Sequence, residues 1–355
     1  MIQKSISNTR IAFLDAAKAV AIFLVVWGHL IQQTDADFWN NDIFAFIYSF
    51  HIPLFFLLSG MFLDRLFSLS FLHALKKRAI QLLLPATTIA LIGFVIRLLL
   101  AGTGISIIDI AETIVKAVVC MPWFCKTLFC CNMIAYIAKR CFKTDCWACV
   151  GSILLLHLIP NDDYFALKTF LPFVWCGYFL MKYRKTVFDN AAKILPPMLL
   201  AYIILLCFWN TDCTFYKTSS TLWTINLSEK EAAFLGRNLS VELYRFAIGL
   251  SGAMSVILSI KLLYEKTACA HPSLIAYIGS NTLGIYLLQT FGESWLFKQL
   301  SPVNELFTPP AWVPSAIILP ICAIGTILLI TLLIYLIRKN KYSSLLLLGD
   351  NKAFL

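Results

Sequence analysis

Apolar stretches long enough to cross a bilayer recur from one end of this chain to the other. A helix of about 20 apolar residues spans the hydrocarbon core of a membrane. Hydrophobic residues fill 60% of the 355 positions and charged residues only 14%, which is more apolar surface than a soluble core needs. The sequence therefore predicts an all-α, polytopic transmembrane bundle of about ten helices, forming one domain over residues 1–355. The predicted spans are 11–32, 43–63, 79–100, 118–138, 146–160, 164–181, 194–209, 241–263, 274–297 and 312–337.

The basic residues indicate an orientation for these spans. Cytoplasmic loops of membrane proteins carry more Lys and Arg than exported loops do. With the N-terminus inside, the inner segments and the inner ends of the spans hold 19 basic residues and the outer segments 5, while another 5 lie deeper within spans. We therefore expect both termini to be cytoplasmic, in a bacterial inner (plasma) membrane. The net charge of +10 then reflects topology, so we expect membrane lipid as a partner and no nucleic acid.

The first predicted span contains a lysine and a histidine among apolar residues. Lys18 and His29 are eleven residues apart, which at about 100° per residue places them on one helix face, roughly 16 Å apart along the axis. An ionisable group at bilayer depth is costly unless it faces a partner or a wet cavity. Asp15, three residues before Lys18 on the same face, can pair with the ammonium. We predict a catalytic role for His29, Lys18 and Asp15; the alternative is a snorkelling lysine and a structurally satisfied histidine.

The second predicted span contains a histidine two residues before a proline. Pro53 cannot donate to the carbonyl of Ser49, so we expect the helix to kink near His51. Backbone groups freed at membrane depth need protein or a cavity around them. His51 is therefore predicted to line a polar, substrate-binding pocket that faces the first helix. A packing histidine that donates to a carbonyl is the alternative.

Three further residues are predicted to bind substrate near the membrane. Glu242 and Arg245 form a charged pair that can orient sugar hydroxyls, although an ordinary i,i+3 ion pair is the simpler account. Trp123 can stack on a sugar ring, and an interfacial tryptophan is the alternative.

Most of the 12 cysteines lie in apolar helices, where cysteine behaves as a small hydrophobe. We expect no metal site, because the cysteine spacing lacks partner ligands.

Two segments resemble a known family of membrane enzymes. LDAAKAVAIFLVVWGH and IYSFHIPLFFLLSGMF look like the opening of the acyltransferase-3 family of integral membrane acyltransferases, and are similar to its fucose 4-O-acetylase branch. Four later segments agree, so the resemblance covers nearly the whole chain: KKRAIQLLLPA, PWFCKTLF, LPFVWCGYFL and IGSNTLGIYLLQT. The family's late helix often ends in histidine, whereas this chain has Gln289, and we carry no role over to that position.

The resemblance implies transfer of an acyl group, commonly acetyl from acetyl-CoA, to a hydroxyl of a sugar or glycan. The family's paired basic residue and histidine match Lys18 and His29, although many members carry arginine at the first position, which binds anions differently. Imidazole changes charge near neutral pH and so suits the base. The donor is expected as a co-substrate, acetyl-CoA or a related acyl-CoA, and not as a permanently bound cofactor. The acceptor is expected to be a cell-envelope or exported glycan, or a lipid-linked sugar.

The basic inner loop before the third span is the predicted contact for the CoA phosphates. Lys76, Lys77 and Arg78 lie there, and such residues form charge-assisted hydrogen bonds with phosphate. Any positively charged inner loop would contain similar residues, which is the alternative.

A secondary transporter is the rival interpretation, because ten helices with buried charge also describe that class. Transporters tend to show matched broken helices in two repeated halves. Pro53 and Pro85 have no clear counterpart later in the chain, which favours the enzyme. A non-catalytic partner in envelope assembly is the third interpretation, and it would tolerate the loss of Lys18 and His29 together.

Overall fold

The fold is built from α-helices. The computed structural model describes residues 12–100, 106–158, 166–209, 231–267, 273–293 and 313–350, and no strand occurs within these ranges. The helices are α1 (Ala12–Thr34), α2 (Asp42–Gly60), α3 (Leu63–Phe67), α4 (Phe71–Arg78), α5 (Leu84–Leu100), α6 (Ile107–Val119), α7 (Trp123–Cys141), α8 (Asp145–Leu158), α9 (Leu167–Lys182), α10 (Arg184–Asp189), α11 (Ala191–Cys207), α12 (Glu231–Thr267), α13 (Ser273–Ser280), α14 (Thr282–Glu293), α15 (Leu319–Ile337) and α16 (Lys341–Leu348). Short π-helical segments, Ala79–Leu83 and Pro314–Ile318, lead into α5 and α15, and a 3₁₀ turn, Phe38–Asn40, precedes α2.

Each of the ten predicted spans is helical over most of its described length. In the described part of the chain, five helices are individually long and apolar enough to cross a membrane: Ala12–Thr34, Asp42–Gly60, Phe71–Leu100, Ser240–Lys266 and Pro314–Ile337. A sixth is added if Ile108–Val119 and Trp123–Cys141, which are bent by 57° relative to each other, form one broken span. The chain is therefore a multi-pass integral membrane protein. The ends of several predicted spans, such as 294–297, lie outside the described residues.

The first helix is enclosed by other helices. α1 packs against α2, α12, α13, α14 and α15, and Ala17, Ala21, Ile22 and Val26 on it are completely buried. A helix that is covered on most sides can direct polar side chains into the protein instead of towards lipid. This packing explains how a span with two ionisable residues is accommodated.

Glycines allow α2 and α9 to approach closely. A Cβ atom at Gly60 would lie 2.0 Å from the carbonyl oxygen of Val174, and one at Gly177 would lie 1.9 Å from that of Leu57. No side chain fits at those distances, so only glycine permits this contact. Small residues at helix crossings are the usual means by which membrane helices pack backbone to backbone.

An aromatic layer fills the space beside this crossing. The rings of Phe56 on α2 and Phe170 on α9 stack with centroids 4.5 Å apart, and Phe124 on α7 contacts Phe56 edge to face at 5.3 Å. Stacked and edge-to-face pairs of this kind stabilise packing beyond the area they bury. The layer packs the start of α7 against α2.

Candidate active site

Lys18 and His29 line the same internal cavity. The cavity has a volume of about 140 Å³ and is bounded by residues of α1, α2, α7 and α14, with Leu82 of the first π-helical segment. Most of its walls are aliphatic or aromatic side chains, among them Val25, Leu58 and Phe124. The helix face that carries the lysine and the histidine is therefore turned into the protein. A mostly apolar cavity with a few polar groups is the usual form of a small-molecule site.

Lys18 lies close to an acidic side chain and to an aromatic ring. Its Nζ lies 3.6 Å from Oδ1 of Asp15 and 4.4 Å from the centre of the Phe62 ring. An ion pair and a cation–π contact together lower the cost of holding an ammonium in a sheltered place. The described cavity wall includes Lys18 but not Asp15, which is buried. Asp15, predicted as catalytic, therefore contacts Lys18 without lining the described cavity wall.

His29 contacts Gln289, a residue to which the sequence analysis assigned no role. The Nδ1 atom of His29 lies 3.0 Å from the side-chain nitrogen of Gln289, which belongs to α14 and is only 2% exposed. Tyr286, one turn earlier on α14, lines the cavity with His29. The signal for Gln289 was its polar amide within an apolar helix, since polar groups at membrane depth usually find a partner. Nothing local indicated which partner, because the two residues are 260 positions apart.

The two polar ends of the cavity cannot act on the same atom. α1 is continuous from Ala12 to Thr34, so Lys18 and His29 are separated by roughly 16 Å along its axis. A carbonyl group next to His29 is out of reach of the ammonium. Lys18 and His29 can therefore contact two parts of one extended ligand.

His51 is buried next to this cavity and does not open into it. Its Nδ1 donates to the carbonyl of Ile47 at 2.7 Å, and its Nε2 is buried with no hydrogen-bond partner among the described residues. The described cavity wall includes Ile52 but not His51. α2 continues as one helix through Pro53, against which α12 packs at Gly249. The hydrogen bond from Nδ1 to the carbonyl of Ile47 agrees with the packing alternative. The lone pair on Nε2 accepts no hydrogen bond from the described residues.

The other predicted substrate-binding residues divide into two groups. Trp123 lines the cavity at the first turn of α7. Glu242 and Arg245 are not brought to it: Oε1 of Glu242 lies 3.2 Å from Nη1 of Arg245 and accepts a 3.4 Å hydrogen bond from Thr169. These contacts join α12 to α9 outside the described cavity wall. The i,i+3 ion pair is therefore what the geometry shows for Glu242 and Arg245.

The basic cluster lies where α4 ends and the first π-helical segment begins. Lys76 is exposed, whereas Lys77 and Arg78 are half-buried. Arg78 donates to Oε1 of Gln81 at 3.3 Å, and its Nε is buried with no partner within the described ranges. Leu82, four residues after Arg78, lines the cavity. π-Helical insertions often occur at functional sites, and this one connects the basic cluster to the cavity wall.

The family relationship extends over nearly the whole chain. The family model described as "Acyltransferase domain", that of the acyltransferase-3 family, matches residues 11–338. The chain belongs to this family. Two relatives share a shorter stretch of 85 residues: Nodulation protein NolL of Sinorhizobium fredii is 41% identical and Nodulation protein NolL of Mesorhizobium japonicum is 42% identical. The stretch covers 22% of this chain and 23% and 22% of those proteins, so the chain spans less than a quarter of the relatives' length. No solved structure matches the chain.

The cavity of this family member has an imidazole at one end and an ammonium at the other. Membership confirms the predicted resemblance, whereas the fucose 4-O-acetylase branch stays a prediction. Among the described residues, no group of three or more His, Cys, Asp or Glu is arranged to hold a metal ion. The chemistry that these residues themselves support is proton transfer by imidazole and binding of an anion or a polar carbonyl by ammonium.

Proposed function

We propose that this acyltransferase-3 protein is a membrane O-acyltransferase. It transfers an acyl group, acetyl in the first instance, from acyl-CoA to a hydroxyl of a cell-envelope or exported glycan. The observation that carries the proposal is the single cavity that holds both Lys18 and His29. A cation and a base at opposite ends of an apolar cavity match the two ends of an acyl donor, one polar and one reactive.

His29 is the base in the proposed reaction. Its imidazole takes the proton from the acceptor hydroxyl while the hydroxyl oxygen attacks the carbonyl carbon of the thioester. The tetrahedral intermediate then expels the thiolate by breaking the carbon–sulfur bond, and the imidazolium returns the proton to sulfur. An ester and a free thiol result, and the imidazole is regenerated. A well-placed base of this kind contributes about 10²- to 10⁴-fold to a rate.

The donor is proposed to enter from the cytoplasmic end. CoA carries several phosphates, and charge-assisted hydrogen bonds from guanidinium groups are well suited to phosphate. Arg78 is the best placed of the three basic residues, because it lies one turn before Leu82 on the cavity wall. Lys18, which lies near the carboxylate of Asp15 and over the ring of Phe62, is the next polar contact for the donor. The apolar walls between Lys18 and His29 then hold the arm that carries the acyl group.

The acceptor is proposed to reach His29 from the other end. In the predicted orientation His29 lies towards the outer face of the membrane, where an exported glycan arrives. Trp123 offers a flat indole at the cavity wall for a sugar ring. The predicted contact between His51 and substrate is not part of this proposal, because its Nε2 is buried outside the described cavity wall.

Purified protein supplied with labelled acetyl-CoA, with and without a glycan extract, tests the proposal. We expect CoA release only when acceptor is present, and we expect His29→Ala to abolish it in folded, membrane-inserted protein. His157→Ala is the matched control, since His157 bonds at 2.8 Å to the carbonyl of Ile153 in its own helix. Full activity of His29→Ala would remove His29 as the base. Solute movement without CoA release would support a transporter instead.

Mass spectrometry of surface glycans identifies both substrates. Cells with and without the intact gene are compared, and the mass that is lost names the acyl group and the sugar that carries it. We expect an acetyl-sized difference on a cell-envelope or exported glycan.

A further inference from the structure

We infer that Gln289 sets the protonation form of His29 and so determines which ring nitrogen acts as the base. This inference rests on the proposed function, because it assigns a positioning residue to the proposed reaction. Gln289 contacts His29 and not the reacting atoms.

The contact between Gln289 and His29 is fixed by the helices that carry them. Gln289 is 2% exposed and lies 3.0 Å from Nδ1 of His29. α14, which carries Gln289, packs against α1 and α15. The preceding helix, α13, is seated on α1, because Gly279 allows its backbone to reach the carbonyl of Asp15. A side chain held between packed helices has few alternative positions, so the imidazole ring has one orientation.

The contact also decides which nitrogen is able to react. Nδ1 of His29 faces Gln289 at 3.0 Å, and we assign the acceptor proton to the other ring nitrogen, Nε2. A neutral imidazole carries one proton, and Nε2 can act as a base only when that proton is on Nδ1. Nδ1–H is a donor and needs an acceptor beside it.

The amide of Gln289 can supply that acceptor. A half-turn of the amide exchanges its oxygen and nitrogen in almost the same volume. When the amide nitrogen of Gln289 faces His29, Nδ1 of His29 must accept a hydrogen bond and the ring proton lies on Nε2 of His29, which disables the base. When Oε1 of Gln289 faces His29, Nδ1 of His29 donates to it and Nε2 of His29 presents a lone pair. We assign the second arrangement to the working enzyme.

An amide suits this position better than a carboxylate. A carboxylate would also accept from Nδ1–H, yet it would add a buried charge, which is costly at membrane depth. It would also stabilise the imidazolium form, so that a smaller fraction of His29 would be the neutral base at a given pH. The neutral amide orients the ring without either effect.

Three variants test the inference kinetically. Gln289→Leu keeps a side chain of similar size and removes the acceptor. We expect kcat to fall by about 10- to 100-fold, the range found when a metal-binding histidine loses its hydrogen-bond partner, with KM for the acceptor unchanged. Gln289→Glu restores an acceptor, so activity returns and the acidic limb of the pH–rate profile moves to higher pH. Thr290→Val is the control, because its hydroxyl donates only to the carbonyl of Tyr286 in the same helix.

A spectroscopic measurement reads the protonation form directly. In protein labelled with ¹⁵N-histidine, His29 is identified among the five histidines by the signals missing from His29→Asn. We expect the Nδ1–H form in the wild type and a shift towards the Nε2–H form in Gln289→Leu. An unchanged form in Gln289→Leu, or an unchanged kcat and pH profile, would overturn the inference.

The two measurements separate the inference from the proposed function. An inactive wild type, or a fully active His29→Ala, defeats the proposed function, and the nitrogen signals still show whether Gln289 controls the ring. A normal response to His29→Ala with no response to Gln289→Leu defeats the inference alone.

Discussion

Replacing Gly279 by alanine tests whether the seat of α13 on α1 supports the cavity. A Cβ at this position would lie 2.0 Å from the carbonyl oxygen of Asp15, and real Cβ atoms are essentially never closer than 3.0 Å to another atom. The backbone of α13 would therefore have to move by about 1 Å, because neither atom belongs to a flexible side chain. Overpacking of this kind costs about 1–3 kcal/mol, and we take about 3 because backbone meets backbone. The helix propensity of alanine returns about 1 kcal/mol, which leaves a net loss of about 2 kcal/mol.

The matched control is Gly325→Ala in α15, where a Cβ would meet no described atom within 4 Å. We expect this variant to be as stable as the wild type or slightly more stable. Thermal unfolding in one detergent at one scan rate compares the two variants. At about 2 °C for each kcal/mol in a large chain, Gly279→Ala should lower Tm by about 4 °C.

The rate of acyl transfer by Gly279→Ala should also fall, and by more than the modest decrease in Tm would suggest. The contact lies at Asp15, which balances Lys18, and α13 leads directly into the helix of Gln289. A displacement of about 1 Å in a catalytic arrangement can cost about 10²-fold in rate. Equal Tm and equal acyl transfer in Gly279→Ala and Gly325→Ala would refute the reasoning that this crossing positions the site.

Three further substitutions test the proposed donor path. Lys18→Met should raise KM for acetyl-CoA by roughly tenfold or more, with Lys18→Arg recovering part of the loss; an unchanged KM would place the donor elsewhere. Arg78→Ala should raise the KM for acetyl-CoA by roughly 10- to 150-fold if a charge-assisted hydrogen bond to phosphate is lost. Lys76→Ala, at an exposed position, should raise this KM much less. Equal increases in the two variants would show general charge attraction only. Val25→Phe should narrow the cavity between Lys18 and His29 and lower kcat/KM for the donor by at least about tenfold. Val20→Phe is the control, because Val20 is 36% exposed, and it should not lower kcat/KM. Equal activity of the two variants would show that the donor does not pass Val25.

The helices were predictable because their signal is local. A run of apolar residues in a membrane protein has to form a helix, since its backbone groups have no other partners in lipid. Five of the described helices are individually long and apolar enough to cross a membrane. Asp145–His157 and Ala191–Cys207 are apolar but shorter, and the predicted ninth span is divided between α13 and α14 around Asn281. Such a division depends on packing with neighbours, which a sequence window does not contain.

The site was predictable to the extent that one helix determines it. The shared face of Lys18 and His29 follows from helical geometry alone, and α1 is unbroken. Glu242 and Arg245 show the opposite case, because a local ion pair satisfies them and leaves no reason for a cavity. Gln289 required a contact between distant parts of the chain. Only the three-dimensional packing of α14 on α1 brings that amide to the histidine.

The separation of the two polar ends explains why the cavity needs so little polar lining. A ligand that carried its charge next to its reactive carbonyl would require the base and the cation within one hydrogen-bonded cluster. Here the cation and the base stand roughly three turns apart on one rigid helix, and mostly apolar walls lie between them. The proposed donor, an extended molecule whose charged part stays near the cytoplasm and whose thioester lies near His29, satisfies both ends at once. Apolar walls then exclude water from the thioester, so the sugar hydroxyl meets less competition from hydrolysis.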